Sequence, residues 1–188
     1  MDTRKKRISH FFPLSGDWVN CAGYEIEGVF EMYTECLNKR GIIMSSPTLF
    51  APMIAEVIKF ADHKFKKNPL NYTVMMILTD GVIHDMEDTI EQLVKGSKTA
   101  LSIIIVGIGT ENFEFMKILD SDRHALKDKY GRKTVRDIVQ FVDYSQFQSQ
   151  SIVKNMGMKF KADQERKTKV GVKDINKLAD EVLHEIPQ

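Results

Sequence analysis

Cysteine is scarce in this chain: Cys21 and Cys36 are the only two among 188 residues. They sit far from any CxxC spacing and cannot build a structural zinc site, so they read as reduced thiols of a cytosolic protein. No stretch approaches the roughly 20 apolar residues that cross a bilayer, which predicts a soluble chain. The opening MDTRKKRI is a small basic cluster with no apolar segment behind it, so no signal peptide is expected. An excess of one charge is missing too. With 27 basic against 26 acidic residues, net charge argues neither for nucleic acid nor for an acidic surface partner. No GxxxxGK[ST] phosphate loop occurs, and no His, Ser or Cys constellation proposes itself for nucleophilic catalysis. The length lies within the range of one domain with a real core.

What is there is an alternation of helical and strand periods. Ile26, Val29, Phe30, Tyr33 and Leu37 recur at three- and four-residue steps, predicting a helix over 25–37 with these residues on its buried face. A second helix follows, with capping oxygens on Ser45, Ser46 and Thr48, Pro52 in its first turn, and Ile54, Val57, Ile58 and Ala61 as its core stripe. VMMILTD at 74–80, LSIIIVGIG at 101–109 and DIVQFV at 137–142 read as strands, the first two apolar without alternation, as strands covered on both faces must be. Helical spacing of Met86, Ile90, Leu93 and Val94 lies between the first two, and a shorter helix with Phe113, Met116 and Leu119 between the last two. LADEVLHEI near the end reads as a closing helix. Strands alternating with helices predict an α/β fold: a parallel sheet with helices on both faces. The Lys-rich, weakly periodic segment 149–173 is expected to be a mobile insert, cut first in limited proteolysis.

Three places could carry chemistry. GIGTEN at 107–112 follows a strand, but a dinucleotide-binding turn needs a third glycine where Asn112 stands, so a plain turn is expected. HDMED at 84–88 could hold a metal, although Asp85 as a helix cap with acids in the first turn explains it without one. The third is Asp80 with Thr48. Asp80 ends the strand in VMMILTDG and Thr48 precedes a helix, where site residues of an open α/β sheet belong. One carboxylate and one hydroxyl are half of a site for a hard divalent cation; the alternative is that Asp-Gly only shapes a turn.

SPTLFAPMI at 46–54, ILTDGVIHDMEDT at 77–89, LSIIIVGIG at 101–109, RDIVQFVDYSQF at 136–147 and the ending LADEVLHEIPQ resemble, in order, the von Willebrand factor A-type domain of copines; ISHFFPL at 8–14 resembles the stretch before its first helix. The resemblance implies a von Willebrand factor A-like fold over 1–188 and a non-enzymatic module that recruits target proteins. Its parent would be a cytoplasmic, calcium-dependent phospholipid-binding protein that reaches membranes through domains outside this chain. It also implies a metal-ion-dependent adhesion site with Thr48 and Asp80 among its ligands. The site would hold Mg²⁺, Mn²⁺ or Ca²⁺ and accept a partner's carboxylate. The family's DxSxS-like motif is absent from these 188 residues. DYSQF at 143–147 is no substitute, because Phe147 offers no oxygen and the segment matches the family's last strand. Leu49 also departs from the Asn that copines tend to carry after the site threonine. The domain is therefore expected to be incomplete at its N-terminus and to bind metal weakly or not at all. The strand at 74–79 should then be an exposed apolar edge prone to self-association. The alternative function is the copine-type domain of a ubiquitin ligase, or of another enzyme whose catalytic part lies outside this chain.

Overall fold

The three apolar runs form one parallel sheet in the computed structural model, which describes residues 9–39, 42, 46–120, 124–147 and 175–183. In chain order the elements are α1 (Glu25–Lys39), α2 (Ala51–Lys67), β1 (Thr73–Thr79), α3 (Met86–Gly96), β2 (Leu101–Gly107), α4 (Glu114–Leu119), β3 (Val139–Asp143) and α5 (Ile175–Leu183). A short 3-10 turn, Tyr144–Phe147, follows β3. The strand order is β1-β2-β3, in a register that sets Ile77 beside Ile105 and Ile105 beside Phe141. The segment 149–173, expected to be a mobile insert, lies outside the described residues.

One face of the sheet carries the core. Met75, Ile77, Ile103, Ile105, Val139 and Phe141 pack with Ile54 and Ala61 of α2, Leu93 of α3, and Met116 and Leu119 of α4. On the other face Ser102, Ile104, Val106, Gln140 and Val142 are buried as well, and α5 lies against β3. β2 is thus buried at every residue, as its unbroken apolar run predicts.

β1 departs from that expectation. Its burial alternates, and Val74, Met76 and Leu78 are 44%, 56% and 64% exposed. An apolar run records what a strand can tolerate, whereas cover on a given face depends on what packs there. α1 corrects a second expectation. Ile26 and Phe30 of the predicted stripe are 73% and 69% exposed, and the buried position is Cys36 at 3%. Cys36 lies one turn from half-buried Met32, so the covered side of α1 is rotated away from the apolar stripe.

A small hairpin, bridged between Lys127 and Lys133, is strapped to α3 by charge. Lys129 reaches Asp88 at 3.1 Å and Glu91 at 3.3 Å, and Arg132 pairs with Asp128 at 2.6 Å. Hydrogen bonds that Lys129 donates to Asp88 and Glu91 push its pKa up to about 12. Bonds from Lys95 and Lys129 hold Glu91 below the usual carboxylate range. At Asp128 burial acts to raise the pKa, but the Arg132 guanidinium and the N–H groups of Arg132 and Tyr130 outweigh it, and the net shift is downward.

Candidate functional site

Parallel strands deliver their carboxyl ends to one border of the sheet, where the loop after β1 meets the approach to α2. Asp80 is the first residue past β1 and is exposed; no hydrogen bond or ion pair to its carboxylate is present among the described residues. Gly81 follows, with its N–H 3.4 Å from the Thr79 hydroxyl.

Thr48 is joined to this loop through its backbone. Its carbonyl accepts from the His84 N–H at 3.1 Å, and its N–H donates to Nδ1 of His84 at 3.3 Å. That second bond requires the Nδ1 lone pair, so the imidazole is the Nε2–H tautomer here. Thr48 is exposed and follows a cis Ser46–Pro47 peptide bond. The structure therefore carries Thr48 and Asp80 on two segments tied at His84, four residues past Asp80.

Asp85 makes the second tie. Its two carboxylate oxygens accept the N–H groups of Phe50 and Ala51 at 2.9 and 2.8 Å, and the Thr89 hydroxyl donates to it at 3.3 Å. Asp85 does stand at the N-cap position of α3, but its side chain bonds no N–H of that helix. It caps α2 instead. Conversely the N-cap position of α2 is held by Phe50, without a side-chain cap, and not by Ser46 or Thr48, and Pro52 sits in its first turn as predicted; Ser45 lies outside the described residues. The physical reason is reach, since a helix end accepts any carboxylate placed before its free N–H groups, from its own chain segment or another. Sequence spacing gave no sign of this, because the partners are 34 to 36 residues apart.

HDMED is thereby distributed over separate tasks: His84 and Asp85 hold the approach to α2, and Asp88 pairs with Lys129. No group of three or more His, Cys, Asp or Glu side chains placed to hold a metal occurs among the described residues. GIGTEN is a turn with structural glycines. A Cβ at Gly107 would come within 3.0 Å of the Phe113 ring, Gly109 has φ +108°, and Asn112 accepts the Glu114 N–H at 2.9 Å. No helix among the described residues is long and apolar enough to cross a membrane.

A parallel sheet with helices packed on it, ordered β1-β2-β3 and reached through helical crossovers, defines a von Willebrand factor A-like α/β domain. The chain belongs to the copine family, whose family model matches residues 2–188. It is 38% identical to Copine-C of Dictyostelium discoideum over 181 residues, which covers 96% of this chain and 29% of that protein. It is 40% identical to Copine-D over 144 residues (75% of this chain, 27% of the relative) and 41% identical to Copine-A over 138 residues (73% and 22%), both of the same organism. The chain thus spans less than a third of the length of these relatives.

Proposed function

We propose that this chain is a non-enzymatic protein-interaction module of a copine-like, calcium-dependent phospholipid-binding protein of the cytoplasm. It would recruit target proteins through a metal-ion-dependent adhesion-type site. Asp80 and Thr48 supply protein oxygens to a divalent cation, Mg²⁺, Mn²⁺ or Ca²⁺, and an open coordination position accepts a carboxylate of the target. Membrane recruitment belongs to parts of the parent protein outside this chain, and nucleic acid is not a partner.

The observation that carries this reading is the Asp80 carboxylate, exposed at the carboxyl end of β1 and without a partner among the described residues while its neighbours Asp85 and Asp88 are engaged. The donor chemistry fits: magnesium takes one or two carboxylates, completes its shell with waters and hydroxyls, and dehydrates reluctantly. Two exposed protein ligands improve only slightly on water, so this chain alone should bind Mg²⁺ with a dissociation constant of roughly millimolar or poorer.

Mn²⁺ titration followed by paramagnetic broadening of amide signals tests the reading. Broadening centred on Asp80, Gly81 and Thr48, and abolished by Asp80→Ala, is expected. Broadening confined to Asp88, Glu91 and other surface acids, unchanged in Asp80→Ala, would leave Asp80 as a turn residue only.

A further inference from the structure

We propose that the border of the sheet formed by the amino ends of its strands rests on an anionic lipid bilayer, with the Asp80 end directed away from it. The near balance of 27 basic and 26 acidic residues conceals a segregation along the strand direction. Around the amino ends lie the last turn of α2 with the segment after it (64–72), the turn before β2 (97–100) and the approach to β3 (134–138). Together they carry Lys64, Lys66, Lys67, Lys98 and Arg136 against a single acid, Asp137. The loops that leave the carboxyl ends, 80–85, 108–113 and 144–147, carry Asp80, Asp85 and Glu111 and no lysine or arginine. Because the three strands are parallel, the two sets lie at opposite ends of the sheet.

The amino-end segments are bonded into one platform. The Arg136 guanidinium reaches the carbonyls of Thr99 at 2.9 Å and Leu101 at 2.6 Å, and the Tyr72 hydroxyl at 3.2 Å. Tyr72 shares a further hydrogen bond of 2.8 Å with Ser102, and the Val135 N–H donates to the Ser97 hydroxyl at 3.0 Å. The Asn71 side-chain amide donates to the Lys64 carbonyl at 3.2 Å, which holds the segment after α2 against the helix end. From this platform Leu70 and Val135 project, 91% and 65% exposed. The four lysines are exposed and pair with no carboxylate among the described residues, whereas Lys59, Lys95, Lys117 and Lys129 each do. Asp137 turns its carboxylate to the Val139 N–H.

A bilayer suits this surface better than a folded partner does. Projecting apolar side chains among lysines match the headgroup layer, where the apolar tip enters the acyl boundary and the ammonium groups stay at the phosphates. Each lysine close to an anionic leaflet adds an attraction that salt screens. An acidic protein would need a socket for Leu70 and a carboxylate placed for each lysine. A fluid lipid surface meets both without positional demands. Two apolar tips and four lysines give weak binding, so the contact orients a domain that other parts of the parent protein bring to the membrane. It needs no metal ion and stands whether or not Asp80 holds one.

Co-sedimentation of the full 188-residue chain with vesicles tests this, with calcium chelated and with phosphatidylcholine alone or containing about 30% phosphatidylserine. Binding to the anionic vesicles only, lost as salt rises from about 0.1 to about 0.5 M, is expected. Lys66→Glu combined with Lys67→Glu should weaken it at least about tenfold. Leu70→Ser should weaken it as well, and both variants should keep the wild-type circular dichroism spectrum because these side chains are exposed. Lys117→Glu, on α4, should leave binding unchanged. In a Trp18→Phe background, which removes the chain's one tryptophan, Leu70→Trp emission should shift to the blue with anionic vesicles and not with polyglutamate. No binding to anionic vesicles at low salt overturns the proposal. So does binding indifferent to the Lys66→Glu and Lys67→Glu pair, which would assign it to lysines elsewhere in the chain. Leu70→Trp emission that shifts with polyglutamate and not with vesicles also overturns it, and gives the border to an acidic protein.

Discussion

Asp85 directs both carboxylate oxygens at a helix to which it does not belong, and this fixes where the segment carrying Thr48 enters α2. Replacing an N-capping oxygen typically removes about 0.5–2 kcal/mol. Because two N–H groups are involved, Asp85→Ala should lie at the upper end, about 2 kcal/mol, and Asp85→Asn, which keeps one acceptor, should lose less. Urea unfolding checks this: the midpoint falls in that order with the slope unchanged. Gly107→Ala should also destabilise, by about 1–3 kcal/mol, because the new methyl would meet the Phe113 ring face in an already packed site. A calorimetric melt equal to wild type would show that the ring moves freely aside.

Among the elements, α3 carries two kinds of attachment that respond to different treatments. Leu93 is 1% exposed within the main core, and Leu93→Ala should reduce stability by about 2–5 kcal/mol at any pH where the domain folds. The ionic strap to the 127–133 hairpin depends on pH, and the signs follow from the shifts. Asp128 and Glu91 are lowered in the fold, so their contributions are present above the ordinary values of 3.8 and 4.5 and are lost as pH falls below them. Lys129 is raised, so its contribution is complete below 10.5 and disappears as pH rises from there through about 12. Melting temperature against pH for wild type and Asp128→Asn should converge below pH 3.8 and separate above it. Parallel curves across that range would mean that Asp128 gives nothing to the strap.

At this scale the sequence was a good guide to which segments fold and a poor one to what they touch. LSIIIVG and VMMILT have nearly the same apolar character, yet only the first is covered on both faces. The α1 stripe is amphipathic at helical spacing, yet the helix turns Cys36 inward instead. Strand and helix identity reside in local periodicity, whereas cover is set by neighbours remote in sequence.

For the molecule as a whole, the ordered copine-like motifs carried the fold class and the family, since five short matches in sequence constrain topology more than any one of them. The candidate site was only partly legible. Asp80 and Thr48 were locatable from strand and helix ends. His84 entered only as a member of an acidic cluster and Asp85 as a cap of its own helix, and their tie between the Thr48 segment and the loop after Asp80 was not legible, because a bond across 34 to 36 residues leaves no periodic trace.

On the outer side of β3 the Val139 N–H donates to Asp137 at 3.0 Å and the Phe141 N–H to Asp120 at 2.9 Å. Each carboxylate fills a place that an incoming strand would need, so the two act as stoppers on that border of the sheet. Asp120→Ala frees the Phe141 N–H, and light scattering that is flat for the wild-type chain should climb with time in this variant.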